Sequence, residues 1–372
     1  MTRIYIDYNA STPIAPEVIA AIEPLLKEAY GNPSSGHWAG VLAKAALEDA
    51  RSRVASFLGC NADEVIFTSG GSQANNLALK GLFFRRGGKA SHIVATQIEH
   101  SSVLGPCRFL ESLGARVTFV HVDGDGLVDP DDIRGALRSD TFLISVMHAN
   151  NEVGTIQPIA EIGKIARDHG VLFHTDAAQS AGKIPARVND LGVDLLSIAG
   201  HKLYAPKGVG ALYIRRDVAI EPVIHGAGQE NARRAGTESV LLASALGKAC
   251  EIAAPAIGMK NVRHLRDLLW NRLKSAFDAG VVLNGHPELR LPNTLNVSFV
   301  GRVGGKILAR IPQVAASTGS ASRYGAVMLS PVLAAMGVSQ NIGMGAIRFS
   351  LGRGTTEAEV DAVVAALARA LA

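Results

Sequence analysis

Six short runs of β-branched and apolar residues recur between residues 92 and 214: HIVAT (92–96), ARVTFVHV (115–122), TFLISVMH (141–148), VLFHTDA (171–177), DLLSIAG (194–200) and GALYI (210–214). Several of the gaps hold helix-like stretches such as VLGPCRFLESLG and IAEIGKIARDHG, the second closing on Gly170 as a C-terminal stop. Parallel strands need a crossover, and a helix supplies it, so strand alternating with helix predicts an α/β core around a mainly parallel sheet. TFLISVM and DLLSI are almost continuously apolar, as strands buried on both faces are.

From about residue 260 the texture changes. A long amphipathic segment (NVRHLRDLLWNRLKSAF) is followed by the strand-like TLNVSF, VAAST and AIRFSLG and by a closing helix, TEAEVDAVVAALARALA. This predicts a smaller α+β domain. The expected division is 15–255 for the large domain, with 1–14 and 256–372 forming the small one. The chain has 372 residues, 48% of them hydrophobic and 19% charged, which is enough apolar side chain for one large core or two smaller ones and excludes disorder and a coiled coil.

Lys and Arg exceed Asp and Glu by 37 to 33, too small a margin to argue for nucleic acid. The three cysteines, Cys60, Cys107 and Cys250, form no C-x-x-C pair, which suggests a reducing compartment. MTRIYIDYNASTP does not read as a signal peptide, and no apolar run approaches the roughly 20 residues of a membrane helix. A cytoplasmic protein without membrane or nucleic-acid partners is expected. Neither H-E-x-x-H nor clustered Cys/His spacing argues for a metal.

Three places could carry chemistry. FTSGGSQANNLALKG (67–81) runs from a strand end through a glycine-rich turn into a helical pattern, where free amides and the helix dipole suit a phosphate. Asp176 falls where a buried strand gives way to small residues, the kind of strand end at which open α/β sheets gather ligands. Lys202, in GHK after another buried strand, is placed either to snorkel or to act as a Schiff-base amine. Singly, each has a plainer reading: an ordinary turn, a helix N-cap, a surface lysine. Together they supply what pyridoxal phosphate (PLP) demands, namely a phosphate turn, an acid for the pyridinium nitrogen and an amine for the aldehyde.

The chain resembles the fold-type-I, class V aminotransferase-like PLP enzymes, and within them the cysteine desulfurases and selenocysteine lyases. The resemblance runs through YIDYNASTP, GNPSSGH, FTSGGSQANNLALKG, IEHSSVL, MHANNEVGTIQP, HTDAAQS, GHKLYAPKGVGALY, HGAGQENARRAGT, LPNTLNVSF, ASTGSAS, SPVLAAMG and IRFSLGRGTT, in that order. It implies that Lys202 binds PLP and moves the Cα proton, that Asp176 keeps the ring nitrogen protonated, and that His100 stacks on the ring. Gln179 and Asn151 would sit near the phenolic oxygen and the substrate. Gly71, Ser72 and His201 would contact the phosphate, with Thr237 reaching it from a partner subunit, so a homodimer is implied. Arg348 would hold the substrate carboxylate as a bidentate fork.

The family places a cysteine after Gly-Ser-Ala on a loop, here expected near 317–331, to take sulfur as a persulfide. This chain has Ser322 at that position of the family nucleophile. A hydroxyl has a far higher pKa than a thiol, so Ser322 does not simply replace a sulfur-accepting thiolate. Arg323 and Tyr324 also differ from the family's usual residues, which favours a native divergence over an engineered change. The GHKLYAPKG block and the SRYGAVMLSPVL loop look closer to selenocysteine lyases than to iron–sulfur-cluster desulfurases. The resemblance implies cleavage of the Cβ–S or Cβ–Se bond of a cysteine-like amino acid to give alanine, with a sulfur or selenium acceptor protein as a further partner. The alternatives are a PLP lyase, decarboxylase or transaminase acting on another small amino acid, or a non-catalytic paralogue that binds sulfur-carrier proteins.

Overall fold

The computed structural model describes residues 3–88, 91–254, 259–318, 322–323 and 326–372. In chain order the strands are β1 (Ile4–Tyr5), β2 (Val65–Thr68), β3 (His92–Thr96), β4 (Arg116–Val120), β5 (Thr141–Ser145), β6 (Leu172–Asp176) and β7 (Leu195–Ala199). They continue as β8 (Gly210–Ile214), β9 (Val281–Asn284), β10 (Thr294–Phe299), β11 (Val314–Ala315), β12 (Ser322–Arg323), β13 (Ala326–Val327) and β14 (Ala346–Ser350). All six strands expected from the apolar runs form.

Seven strands make one sheet in the order β2-β8-β7-β6-β5-β3-β4. The five strands β7, β6, β5, β3 and β4 pair in parallel, while β8 runs antiparallel to both β7 and β2. Neighbouring residues on one strand feed opposite cores. Val94 packs with Ile144, Phe173 and Ile198 on one face, whereas Ile93 and Ala95 pack with Leu143, Leu195 and Leu212 on the other. Side chains alternate along a strand, so this arrangement explains why the runs are apolar throughout rather than every second residue. The first face is covered by the helices Trp38–Leu58, Ile159–Asp168 and Val240–Ala253, the second by Gly71–Arg85 and Ser101–Ser112.

The chain passes from β3 outward to β4 and returns to β5 on the other side of β3, which makes a topological switch point. In sheets of this kind ligands bind beyond the carboxyl ends of the strands near such a reversal.

A separate core involves the antiparallel sheet β14-β10-β9 and the helices Lys260–Phe277 and Glu357–Leu371, joined by Ile4 and Ile6 from the N-terminal segment. On β14, Ile347 and Phe349 enter that core while Arg348 and Ser350 alternate onto the opposite face. Of the expected strand VAAST, only Val314–Ala315 forms, paired in parallel with β1.

Candidate active site

A cavity of about 600 Å³ opens at the carboxyl ends of β2, β5, β6 and β7 and at the segment after β3. At one end, β2 gives way to Gly70, whose φ of +145° favours glycine, and the chain enters the helix Gly71–Arg85. Gly210 is needed nearby, since a Cβ there would stand 2.5 Å from the Ile198 carbonyl oxygen and 2.7 Å from the Gly70 carbonyl carbon. Gly71 and Ser72 line the cavity in the first helical turn, whose amides have no intrahelical acceptor.

Asp176 ends β6 and is only 6% exposed. Its Oδ1 accepts from the Ala178 amide at 2.9 Å and its Oδ2 from Asn75 Nδ2 at 2.7 Å. A turn follows it, so the helix N-cap reading does not hold. Asn75 Nδ2 also donates to Ser102 Oγ at 2.8 Å. Ser102 Oγ lies 2.7 Å from His100 Nδ1, and that nitrogen accepts from the Ser102 amide at 3.1 Å. With its Nδ1 accepting, the His100 ring carries a proton on Nε2. His100 caps the helix Ser101–Ser112 and lines the cavity.

Lys202 closes the single turn Gly200–Lys202 after β7. Its Nζ donates to the carbonyls of Asn9 and, at 2.7 Å, Ala10. Burial pulls this amine from its usual value near 10.5 down to about 8; Arg348 acts in the same direction, while Asp7 and Asp176 oppose it. Beside it, burial and then the charges of Lys202 and Lys207 lower His201 to about 4, which leaves a neutral ring.

Arg348 reaches the cavity from the smaller sheet. Nη2 pairs with Asp7 Oδ1 at 2.8 Å and Nη1 donates to the Asn151 carbonyl at 2.9 Å. Its Nε is buried without a hydrogen-bond partner among the described residues. Asp7 Oδ2 in turn accepts from Ser317 Oγ at 2.8 Å. Gln179 is 6% exposed, lines the cavity and donates through Nε2 to the Asn9 carbonyl at 2.9 Å.

Gly71, Ser72, His100, Asn151, Asp176, Gln179, His201, Lys202 and Arg348 therefore meet around one cavity. Thr237 does not line it and is exposed. The side chain of Ser322 lies outside the described residues; its backbone pairs with Val327. The sequence reading did not single out Asp7, Asn9, Asn75 or Ser102. Asn75 carried a usable signal, since it is a polar residue on the otherwise apolar buried face of its helix.

The chain matches the Aminotransferase class-V family over residues 4–363. It is 47% identical over 371 residues to the cysteine desulfurase IscS of Dictyoglomus turgidum, covering 99% of this chain and 94% of the relative. It is 45% identical over 369 residues to the cysteine desulfurase of Pongo abelii, covering 97% and 80%. Among solved structures, a NifS-like protein superposes with a TM-score of 0.92 at 37% identity, covering 100% of this chain and 99% of that one. SspA in complex with cysteine superposes with a TM-score of 0.84 at 38% identity, covering 94% and 99%. The agreement extends through both sheets and through every segment that lines the cavity, and on it the chain belongs to the class-V aminotransferase family.

Proposed function

We propose that the chain is a PLP-dependent enzyme of the cysteine desulfurase and selenocysteine lyase type, which cleaves the Cβ–S or Cβ–Se bond of a cysteine-like amino acid and leaves alanine. One observation carries the reading: an amine lowered to about 8, a carboxylate held by two donors and an arginine with a spare buried N–H converge on one cavity. The relatives named cysteine desulfurase support it.

The residues fit PLP end to end. The glycine turn at Gly70 and the amides of Gly71 and Ser72 suit its phosphate, with His201 beside them and Thr237 supplied by a second copy in a homodimer. Asp176 suits the protonated ring nitrogen, Lys202 the aldehyde carbon, His100 a ring face, and Gln179 and Asn151 the polar edge and the substrate. Bound PLP supplies a sink for the electron pair left at the substrate Cα.

Lys202 Nζ takes the Cα proton and later returns a proton to the carbon skeleton. An amine near 8 has a useful free-base fraction at neutral pH, which an ordinary lysine lacks. Asp176 holds the proton on the ring nitrogen, because its own oxygens are fixed by Ala178 and Asn75. Arg348 binds the substrate carboxylate through the N–H groups that Asp7 and Asn151 leave unused.

Ser322 supplies no thiolate; alanine forms when the Cβ–S or Cβ–Se bond pair stays on carbon and the chalcogen departs at the zero oxidation level to an external thiol acceptor, which selenium does more readily than sulfur, so selenocysteine is the substrate most compatible with this position. An acceptor protein for sulfur or selenium, a cytoplasmic location and the division into 15–255 and 1–14 with 256–372 belong to the same reading. The two separate cores support that division.

The test measures alanine and pyruvate from L-cysteine and L-selenocysteine with the purified protein. Alanine from selenocysteine is expected to dominate. Abundant persulfide from cysteine breaks the argument about Ser322, and a colourless protein that cannot be reconstituted with PLP breaks the whole reading.

A further inference from the structure

A second lysine lies behind the cavity wall. Lys183 is 5% exposed, and its Nζ donates to Asn9 Oδ1 and to Gln179 Oε1, each at 2.9 Å. No salt bridge joins it to a carboxylate among the described residues. Burial, followed by the charges of Lys202 and Arg348, holds its amine well below the ordinary lysine value.

An amide side chain can present either end to a neighbour, and only its partners decide which. Lys183 decides for two amides at once. Because Nζ occupies both oxygens, Asn9 Nδ2 is turned to Thr294 Oγ1 at 2.8 Å and to the Asn151 carbonyl at 3.3 Å. Gln179 Nε2 is likewise turned to the Asn9 carbonyl, the same oxygen that receives Lys202 Nζ. Reversing either amide would set its oxygen against a carbonyl and its NH2 against the Lys183 amine. Asn9 is engaged throughout: Oδ1 also accepts from Asn293 Nδ2 at 3.0 Å, and its backbone N–H donates to Ser350 Oγ at 2.9 Å.

We propose that Lys183 is a positioning residue for the cofactor: by donating to both amide oxygens it holds the Gln179 NH2 as a donor on the cavity wall and the Asn9 carbonyl against Lys202. The ligand served is the anionic oxygen of PLP nearest Lys202, so the inference rests on the PLP reading. Lys183 itself does not line the cavity, so it acts through Gln179 and Asn9, which do.

The test uses apoprotein, with added PLP followed by fluorescence quenching and by the visible band of the bound cofactor. Lys183→Met removes both donors, and about tenfold weaker PLP binding with a displaced band is expected, the scale of leaving a buried polar group unpaired. Lys183→Gln keeps an NH2 able to serve both oxygens and is expected to retain the wild-type band and an affinity within about threefold. A purely structural role would lower the melting temperature of both variants without moving the band. A Lys183→Met protein with wild-type affinity and band overturns the inference, as does a Lys183→Gln protein displaced as far as the methionine variant. Should the methionine variant not fold, Lys183→Ala, which likewise offers no donor, takes its place: a displaced band with about tenfold weaker PLP binding supports the inference, and a wild-type band and affinity overturn it. Failure of the wild-type chain to take up PLP breaks the reading of the site itself, an outcome distinct from uptake that ignores residue 183.

Discussion

The two walls of the cavity take their charged groups from different sheets and hold them differently. On the wall of the seven-stranded sheet, Asp176 receives two donors and the Lys202 amine is shared between two carbonyls. On the wall of the three-stranded sheet, Arg348 is buried and both its terminal nitrogens are engaged, yet its Nε has no partner among the described residues. A buried donor left unpaired costs about 1–3 kcal/mol, and on the proposed function the substrate carboxylate relieves it. The atoms left unpaired among the described residues differ in kind: on the first wall it is an acceptor, Asn75 Oδ1, behind Asp176, and on the second a donor, Arg348 Nε, which suits a carboxylate. On the proposed function, the first wall keeps the cofactor and the second meets each new substrate.

The largest effect belongs to the first wall. Lys202→Ala removes both the attachment point and the base, and turnover is expected to fall by on the order of 10⁴-fold or more with loss of the visible cofactor band. A variant that stays yellow and active would transfer the role of Lys202 elsewhere and dissolve the contrast between the walls. On the second wall, Arg348→Lys keeps the charge but loses the fork. KM is expected to rise about 10- to 100-fold, more than kcat falls, because charge-assisted hydrogen bonds are worth roughly 1.5–3 kcal/mol. A loss confined to kcat would mean that Arg348 acts on the reaction rather than on binding.

The lowered amine of Lys202 sharpens the comparison through pH. Only the free base attacks an aldehyde, and burial favours the uncharged form, which places the half-point at about 8 instead of near 10.5. The rate of PLP capture by apoprotein is expected to rise with pH up to about 8 and then level off, and below that to fall about tenfold per pH unit. A capture rate still climbing steeply at pH 9 to 10 would show an ordinary lysine and remove the electrostatic distinction of the first wall.

What the sequence made legible follows from how local each signal is. The six strands, the stop at Gly170 and the glycine turn before the helix Gly71–Arg85 each depend on residues within a few positions, and all are found. The long helices Trp38–Leu58 and Val240–Ala253 give little periodic signal, being rich in small residues without a clean polar face. Nothing local predicted that Asp7 would meet Arg348, since 341 positions separate them. Nor does a glycine announce the stretch Glu230–Ala232, where three residues have positive φ. That conformation is held from afar by the paired bonds of Arg51 to the Glu230 carboxylate and by the Phe67 amide. The site itself was legible where resemblance supplied both motif and role; Asp7 and Asn9 lie within the motif YIDYNASTP, but their roles depend on partners far along the chain, Arg348 for one and Lys183 for the other. The relatives reported above carry the desulfurase name, so the lyase-like look of GHKLYAPKG does not by itself choose the substrate.

The smallest effect tests how Asp7 steadies the second wall. Ser317 meets Asp7 Oδ2 through its hydroxyl at 2.8 Å, and its amide and carbonyl both bond the backbone of Arg348, at 3.3 and 2.7 Å. Ser317 stands at the start of the segment 317–331, so one residue links the arginine, its counter-ion and the stretch that carries position 322. Ser317→Ala deletes only the hydroxyl and leaves the backbone bridge. With one oxygen released, Asp7 can turn its carboxylate further toward the guanidinium and compete better with an incoming substrate carboxylate. A single hydrogen bond is worth about 0.5–1.5 kcal/mol, so KM for the amino acid is expected to rise roughly two- to tenfold while kcat and PLP affinity hold. A matching change in PLP affinity would show that the two walls are mechanically one, because this substitution touches only the second.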